Sequence, residues 1–313
     1  MDNIIKEQCL KSFVKDLENN KTAHAYLIVS QDEVFNKLVA IQMASFLLCD
    51  SKNFCKNCPN CKKVVAKTHP DLHIFTKMKS FLVEDAVEVI EKSYESPMIC
   101  ENKVFIINNI DNATFQAQNK ILKTLEEPTK SNIFILTATN ENKVLQTVIS
   151  RTRKEYLTPL KFDEVKTLLE NPSELLKEYL PQKRNYIGGE LNEAIVFGEG
   201  WIGKTVQALN SKNFAEQKIL ARNIVEGFSS SRDFAKVSAS VLKFKDEILN
   251  FLELLENETR SAMKENIENF GYMEIIERIQ LAYQEIERNV NINLIVDNLL
   301  MKILEIKYNY GIK

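Results

Sequence analysis

Residues 103–128 read KVFIINNIDNATFQAQNKILKTLEEP: a short apolar run, a polar break at Asn108, Asn109 and Asp111, then a helical pattern over 114–126. The run Lys103–Ile107 predicts a strand, and a strand followed at once by a helix is half of a βαβ unit. The same alternation recurs on both sides of this stretch. Residues 24–29 predict a short buried strand. The helix before it carries Ile4, Ile5, Leu10, Phe13, Val14 and Leu17; the helix after it, over 34–48, sets Leu38, Ile41, Ala44, Ser45 and Leu48 on one face. A strand at 72–76, a helix over Val83–Tyr94 and a strand at 133–137 complete the series. Strands separated by helices imply a parallel sheet covered on both faces.

Beyond Pro159 the strand pattern stops. Residues 162–207 predict short helices interrupted by Pro172, Pro181 and the glycines at 188, 189, 198, 200 and 203. From 213 to 308 long amphipathic helices dominate, with Val241, Leu242, Phe244, Ile248, Leu249 and Leu252 as one example. A chain of 313 residues exceeds the roughly 250–300 at which single cores stop growing. The expected division is an α/β domain at 1–160, a small helical domain at 161–208 and a C-terminal helical domain at 209–313.

The composition, 44% apolar and 27% charged, is that of an ordinary globular protein. The 41 basic residues nearly balance the 43 acidic ones, so contact with a polyanion requires a local patch. The N-terminus lacks the basic and apolar regions of a secretory signal, and no apolar run approaches a membrane span. These features predict a cytoplasmic protein without membrane contact. Glycine is the most selective count: 8 occur, all at or after Gly188, where average usage would give about 22. Phosphate-cradling motifs need glycines where backbone approaches oxygen, so neither a P-loop nor a GxGxxG turn exists in residues 1–187.

Cys49, Cys55, Cys58 and Cys61 cluster, while Cys9 and Cys100 stand alone. Four thiolates at this spacing suit a tetrahedral Zn²⁺ site, with Pro59 and Asn60 in a tight turn of the knuckle. An iron–sulfur cluster or unrelated reduced cysteines are the alternatives, and His69 or His73 can substitute for one thiolate. Four protein ligands leave no position for a catalytic water, so the predicted role is structural.

The helix Asn119-Lys120-Ile121-Leu122-Lys123-Thr124-Leu125-Glu126-Glu127-Pro128, together with Ser150-Arg151-Thr152, strongly resembles the clamp-loader branch of the AAA+ proteins. Members carry a helix close to NALLKTLEEP and then a Ser-Arg-Cys element. In this alignment Lys103–Ile107 is the Walker B strand, and Asn108 and Asn109 replace its Asp-Glu. Ser30 and Phe35 stand where the P-loop glycines belong, Asn36 replaces the phosphate-binding Lys, and Lys37 replaces the Mg²⁺-binding hydroxyl. Amides hold Mg²⁺ far more weakly than carboxylates. Asp111 reads as a residue at a helix start.

The resemblance therefore implies a non-catalytic member of the bacterial DNA polymerase III clamp loader, with an AAA+ α/β domain, a helical lid and a helical collar. It implies structural zinc, no ATP in this chain, and gamma/tau and delta subunits as partners. Sliding clamp and primer–template DNA would be met through the assembled complex. Arg151, with Ser150, would act on the nucleotide of a neighbour; the plain alternative is a solvated arginine at a helix end. Thr152 departs from the usual Cys, and the gap before Cys55 is shorter than in some relatives. A gamma/tau-type ATPase and a zinc-dependent nucleic-acid-binding protein outside replication are the competing readings. The missing glycines oppose the first and the long helical collar opposes the second. Trp201 reads as lid packing. Lys52, Lys56, Lys62, Lys63 and Lys67 read as a solvated face, since the single ring among them, Phe54, makes no stacking platform.

Overall fold

Strands β1 (Ala25–Val29), β3 (Lys103–Ile107) and β4 (Asn132–Ala138) are buried at every residue. They are the three inner strands of a sheet ordered β2-β3-β4-β1-β5, paired in parallel throughout. A strand covered on both faces is continuously apolar, which is why these three are plain in the sequence. The edges differ. β2 (Leu72–Phe75) is only partly buried, and β5 (Arg153–Tyr156) alternates in burial.

β5 was not predicted, because Arg-Lys-Glu-Tyr offers no apolar run. It is held by backbone pairing to β1, from Tyr26↔Arg153 to Val29↔Tyr156, and by its charges. Arg153 pairs with Asp16, and Lys154 with Glu141 at 3.0 Å.

The computed structural model describes residues 10–76, 80–129, 131–181 and 189–312. Ile4, Ile5, Cys9 and Gly188 lie outside them. The chain divides into two compact units, Met1–Asn185 with Gly198–Val206, and Tyr186–Phe197 with Gln207–Lys313.

In the first unit helices α1 (Lys11–Glu18) and α2 (Glu33–Leu48) cover one face of the sheet. Phe13 meets Tyr26 and Phe46 edge-on at 5.4 and 6.4 Å. The short α3 (Pro59–Val65) follows the cysteine loop. Helices α4 (Val83–Tyr94) and α5 (Phe115–Glu126) cover the other face, where Val89, Ile121 and Leu125 pack on Leu27, Phe105, Phe134 and Leu136. The short α6 (Gln146–Ile149) leads into β5. Helices α7 (Phe162–Glu170), α8 (Glu174–Lys177) and α10 (Ile202–Asn210) follow the sheet in sequence.

The expectation of a single apolar face on α2 is corrected. From Phe35 to Leu48 every residue except Lys37 is buried, including Asn36 and Gln42, as for a helix enclosed on all sides. Pro59 and Asn60 do not form a turn; Pro59 opens α3, whose N-cap is Cys58, a position Pro favours because its missing N–H would have been unpaired. Trp201 is buried, and its carbonyl accepts from Thr205 N–H at 3.1 Å at the start of α10.

The second unit contains α9 (Glu190–Gly198), α11 (Phe214–Glu226), α12 (Phe234–Leu242), α13 (Ile248–Glu265), α14 (Gly271–Glu287) and α15 (Ile292–Tyr310) around one apolar core. The stripe read from Val241 to Leu252 is two helices. A tight turn at Lys245–Glu247, with Glu247 N–H bonded to Phe244 O at 2.8 Å, breaks the period and leaves Leu249 exposed.

Lys307 on α15 is fully buried and donates to the terminal carbonyls of α11, Ile224 O at 3.2 Å and Val225 O at 2.8 Å. Helix C-termini favour such donors. Burial pulls this amine down to about 8, against about 10.4 for an unfolded lysine. Its stabilising contribution is therefore complete above about pH 10.4 and declines as pH falls through 8. Urea unfolding should show wild type gaining stability between about pH 8 and 10 relative to Lys307→Met; parallel pH profiles would mean that the amine is solvated.

Candidate functional site

In parallel sheets ligands bind beyond the carboxyl ends of the strands, and here that rim gathers most of the predicted residues. Ser30 follows β1, Asn108 and Asn109 follow β3, and α2 begins at Glu33. Asn36 is fully buried. Its Nδ2 donates to Ser30 O at 3.2 Å and Ala138 O at 3.0 Å, and its Oδ1 accepts from Ser30 Oγ at 2.8 Å. The amide thus ties the ends of β1 and β4 together.

Phe35 is buried in the core, and Lys37 pairs with Glu33 one turn back along α2. Asp32, which the sequence reading did not single out, caps α2 by accepting from Phe35 N–H at 2.9 Å and also accepts from Gly203 N–H at 2.7 Å. An Asp before a long apolar helix is a recognised start signal; nothing local marks Gly203 as its second partner.

The β3 side of the rim is closed in the same manner. Asn108 donates to Thr76 Oγ1 at 2.7 Å and accepts from Thr137 Oγ1 at 3.3 Å. Asn109 takes a left-handed conformation, φ 55°, and its N–H reaches Thr137 Oγ1 at 2.9 Å. Asp111 lies in the first turn of a short 3₁₀ helix, Ile110–Asn112, as its helix-start reading expects. One of its oxygens accepts from Thr139 N–H, Thr139 Oγ1 and Asn140 N–H at 2.8–3.1 Å, anchoring the exit of β4. Thr114 caps α5.

The four predicted cysteines come together, with all four sulfurs within 4.8 Å of one another. Tetrahedral metal–sulfur bonds of about 2.3 Å set sulfurs about 3.8 Å apart, so the group fits a metal ion with little adjustment. Cys55 N–H points at Cys49 Sγ, Cys58 N–H at Cys55 Sγ and Cys61 N–H at Cys58 Sγ, at 3.3–3.4 Å. Such donors favour thiolates. Burial opposes ionisation of Cys49, but the Ser51 hydroxyl and neighbouring N–H groups outweigh it and bring the thiol to about 6.

Neither histidine joins this cluster. His73 stacks on Phe105 at 5.1 Å, and His69 accepts from Asp71 N–H at 3.1 Å with its other nitrogen 3.6 Å from Cys100 Sγ. Asp71 accepts from the N–H groups of Met98, Ile99 and Cys100 at 2.6–2.8 Å. Burial alone would raise its carboxyl; these donors hold it below the usual range. Of the lysines, Lys52 pairs with Glu101 at 3.4 Å and Lys67 with Glu178 at 2.5 Å.

Arg151 lies just past α6. It pairs with Glu126 on α5 and donates to Thr147 O at 2.7 Å and Ser150 Oγ at 3.2 Å. Glu126, Ser150 and Arg151 border an open hollow of 630 Å³ shared with His24 and Arg153. Glu126, the partner of Arg151, was quoted in the motif but not foreseen in that role.

The strand order, the buried helix entering after β1, the four-cysteine loop and the helices after the sheet define an AAA+ module of the clamp-loader kind. A solved gamma subunit-related protein of DNA polymerase III from Thermotoga maritima shares the fold, with a TM-score of 0.54 at 17% identity over 96% of this chain and all of that one. The chain belongs to the family described as DNA polymerase III, delta subunit, which matches residues 5–161. Among curated relatives, the delta-prime subunit of Buchnera aphidicola subsp. Schizaphis graminum is 33% identical over 135 residues, 42% of this chain and 41% of that protein. The delta-prime subunit of Bacillus subtilis is 26% identical over 137 residues, 43% and 42% of the two chains. The matched region spans about two fifths of the length of these relatives.

Elemental analysis of the purified chain should find one metal ion per molecule. Cys61→Ser should lose it and expose the 49–61 loop to protease, because an all-sulfur cluster depends on metal for its local fold. Protein that is free of metal and equally protected would contradict this.

Proposed function

We propose that this chain is a non-catalytic, delta-prime-type subunit of a DNA polymerase III clamp loader, assisting ATP-driven placement of the sliding clamp on primed DNA. The observation that carries the reading is an asymmetry inside the first unit. The rim that would hold a nucleotide is filled by Asn36, Asp32, Asn108 and Asn109, while Arg151 borders an open hollow. A gamma/tau-type ATPase would require Asn36 to leave three buried hydrogen bonds, each costly to leave unmade.

In this reading the chain binds no ATP, and Ser150 and Arg151 face the nucleotide of an adjacent gamma/tau subunit. A planar, permanently charged guanidinium can reach two phosphate oxygens as charge develops during transfer. Glu126 and Thr147 O hold the fork until a better anion arrives. The ion at Cys49, Cys55, Cys58 and Cys61 is structural Zn²⁺, since a closed all-sulfur set suits that metal. Residues 1–160 form the ATPase-like domain, 161–208 the lid and 209–313 the collar that meets gamma/tau and delta. The setting is the cytoplasm.

Isothermal titration of the purified chain with ATP should give no heat of binding; micromolar affinity would remove the reading. In a loader reconstituted with gamma/tau and delta, Arg151→Ala should leave assembly and metal content unchanged. It should lower clamp- and DNA-stimulated ATPase several-fold, with lysine a poor substitute. The comparable effect in GTPases is about 10³–10⁵, and other sites in the ring reduce it here. An Ala variant that assembles and loads clamps at the wild-type rate would return Arg151 to a surface role.

A further inference from the structure

The first turns of α2 and α10, far apart in sequence, converge on one carboxylate. Asp32 is 5% exposed. It accepts from Phe35 N–H at 2.9 Å and Gly203 N–H at 2.7 Å, with the Val34 and Ile202 amides also directed at it. Helix N-termini attract anions through unpaired N–H groups and the helix dipole. Here two of them share one negative charge.

The backbone is shaped for that approach. A Cβ on Gly203 would lie 2.3 Å from Asp32 Oδ1, so a side chain there would break the contact. Gly200, three residues earlier, has φ +88°, and its carbonyl accepts from Leu160 N–H at 2.9 Å. Each glycine sits where another residue would push the start of α10 away from its partner.

We propose that Asp32 is a resident stand-in for a nucleotide phosphate. Its carboxylate occupies the anion position between the two helix starts and fixes α10 to the sheet side of the first unit without any ligand. This deepens the reading of a subunit that holds no nucleotide, and it is independent of what Arg151 does. An ordinary N-cap would need only the Phe35 bond; the Gly203 bond is what distinguishes a staple from a cap.

Hydrogen exchange on the full chain separates the two. Asp32→Ser keeps an oxygen able to cap α2, but it is neutral and too short to reach α10. The Phe35 amide should stay protected, while the Ile202 and Gly203 amides should exchange roughly tenfold faster, as expected for loss of a charge-assisted hydrogen bond. In Asp32→Ala, added formate should slow exchange at Gly203 again by supplying the missing carboxylate. Unchanged exchange at Gly203 in the Ser variant would overturn the staple, as would loosening spread evenly through both units that formate does not reverse. ATP binding by the wild type would instead overturn the nucleotide-free reading, so the two failures are distinct.

Discussion

A helix enclosed on every side has to begin inside the protein, and its first N–H groups cannot turn to water. α2 is nearly such a helix, exposed at Glu33 but buried at its N-cap Asp32 and, apart from Lys37, from Phe35 onward, and leaving a buried N–H unpaired would cost about 1–3 kcal/mol. Here Asp32 answers that demand at the helix start, while Asn36 one turn in donates to the carbonyls at the ends of β1 and β4. Once these are in place the rest of the rim follows. Thr137 is drawn to Asn108 and Asn109, and Asp111 to Thr139 and Asn140, so that most of these buried groups are paired, with Asn109 Oδ1 and Asp111 Oδ1 the exceptions.

The other end of the same helix is finished differently. Cys49 is its C-cap residue, so the thiolate cluster starts where α2 stops. The cluster is also joined to the sheet edge. Asn60 donates to Asp50 Oδ1 at 2.8 Å and lies 3.5 Å from Cys100 Sγ, while Asp71 at the start of β2 secures residues 98–100. The central helix is therefore anchored by an anion at one end and by sulfur chemistry at the other.

How far this was legible depends on where the information lies. Lys103–Ile107 and Val83–Tyr94 match their predicted limits, because burial on two faces and an amphipathic period each leave a pattern within a few residues. Cys49, Cys55, Cys58 and Cys61 were readable for the same local reason. β5 was not, since an edge strand held by backbone pairing and ion pairs needs no apolar sequence. The predicted rim residues were singled out one by one, yet not as a network: nothing near Asn36 announces Ala138, and nothing near Asp32 announces Gly203, because those partners lie more than a hundred residues away. Glu126 was visible as part of the Leu-Glu-Glu-Pro helix, but its pairing with Arg151 is a property of how α5 and α6 pack.

The absence of glycine from the first 187 residues also reaches beyond the rim. Average usage would place about 13 glycines there, and each non-glycine residue in a compatible conformation restricts the unfolded chain, favouring folding by about 0.4–1 kcal/mol. The α/β unit therefore has less disorder to surrender when it folds. The cost appears where the backbone must turn left-handed anyway. Lys52, Phe54 and Lys56 all have positive φ within the cysteine loop, and such conformations are unfavourable by about 1–2 kcal/mol each for ordinary side chains. The loop thus carries three such conformations within five residues, and the metal proposed for its four sulfurs would help a glycine-free sequence keep that shape.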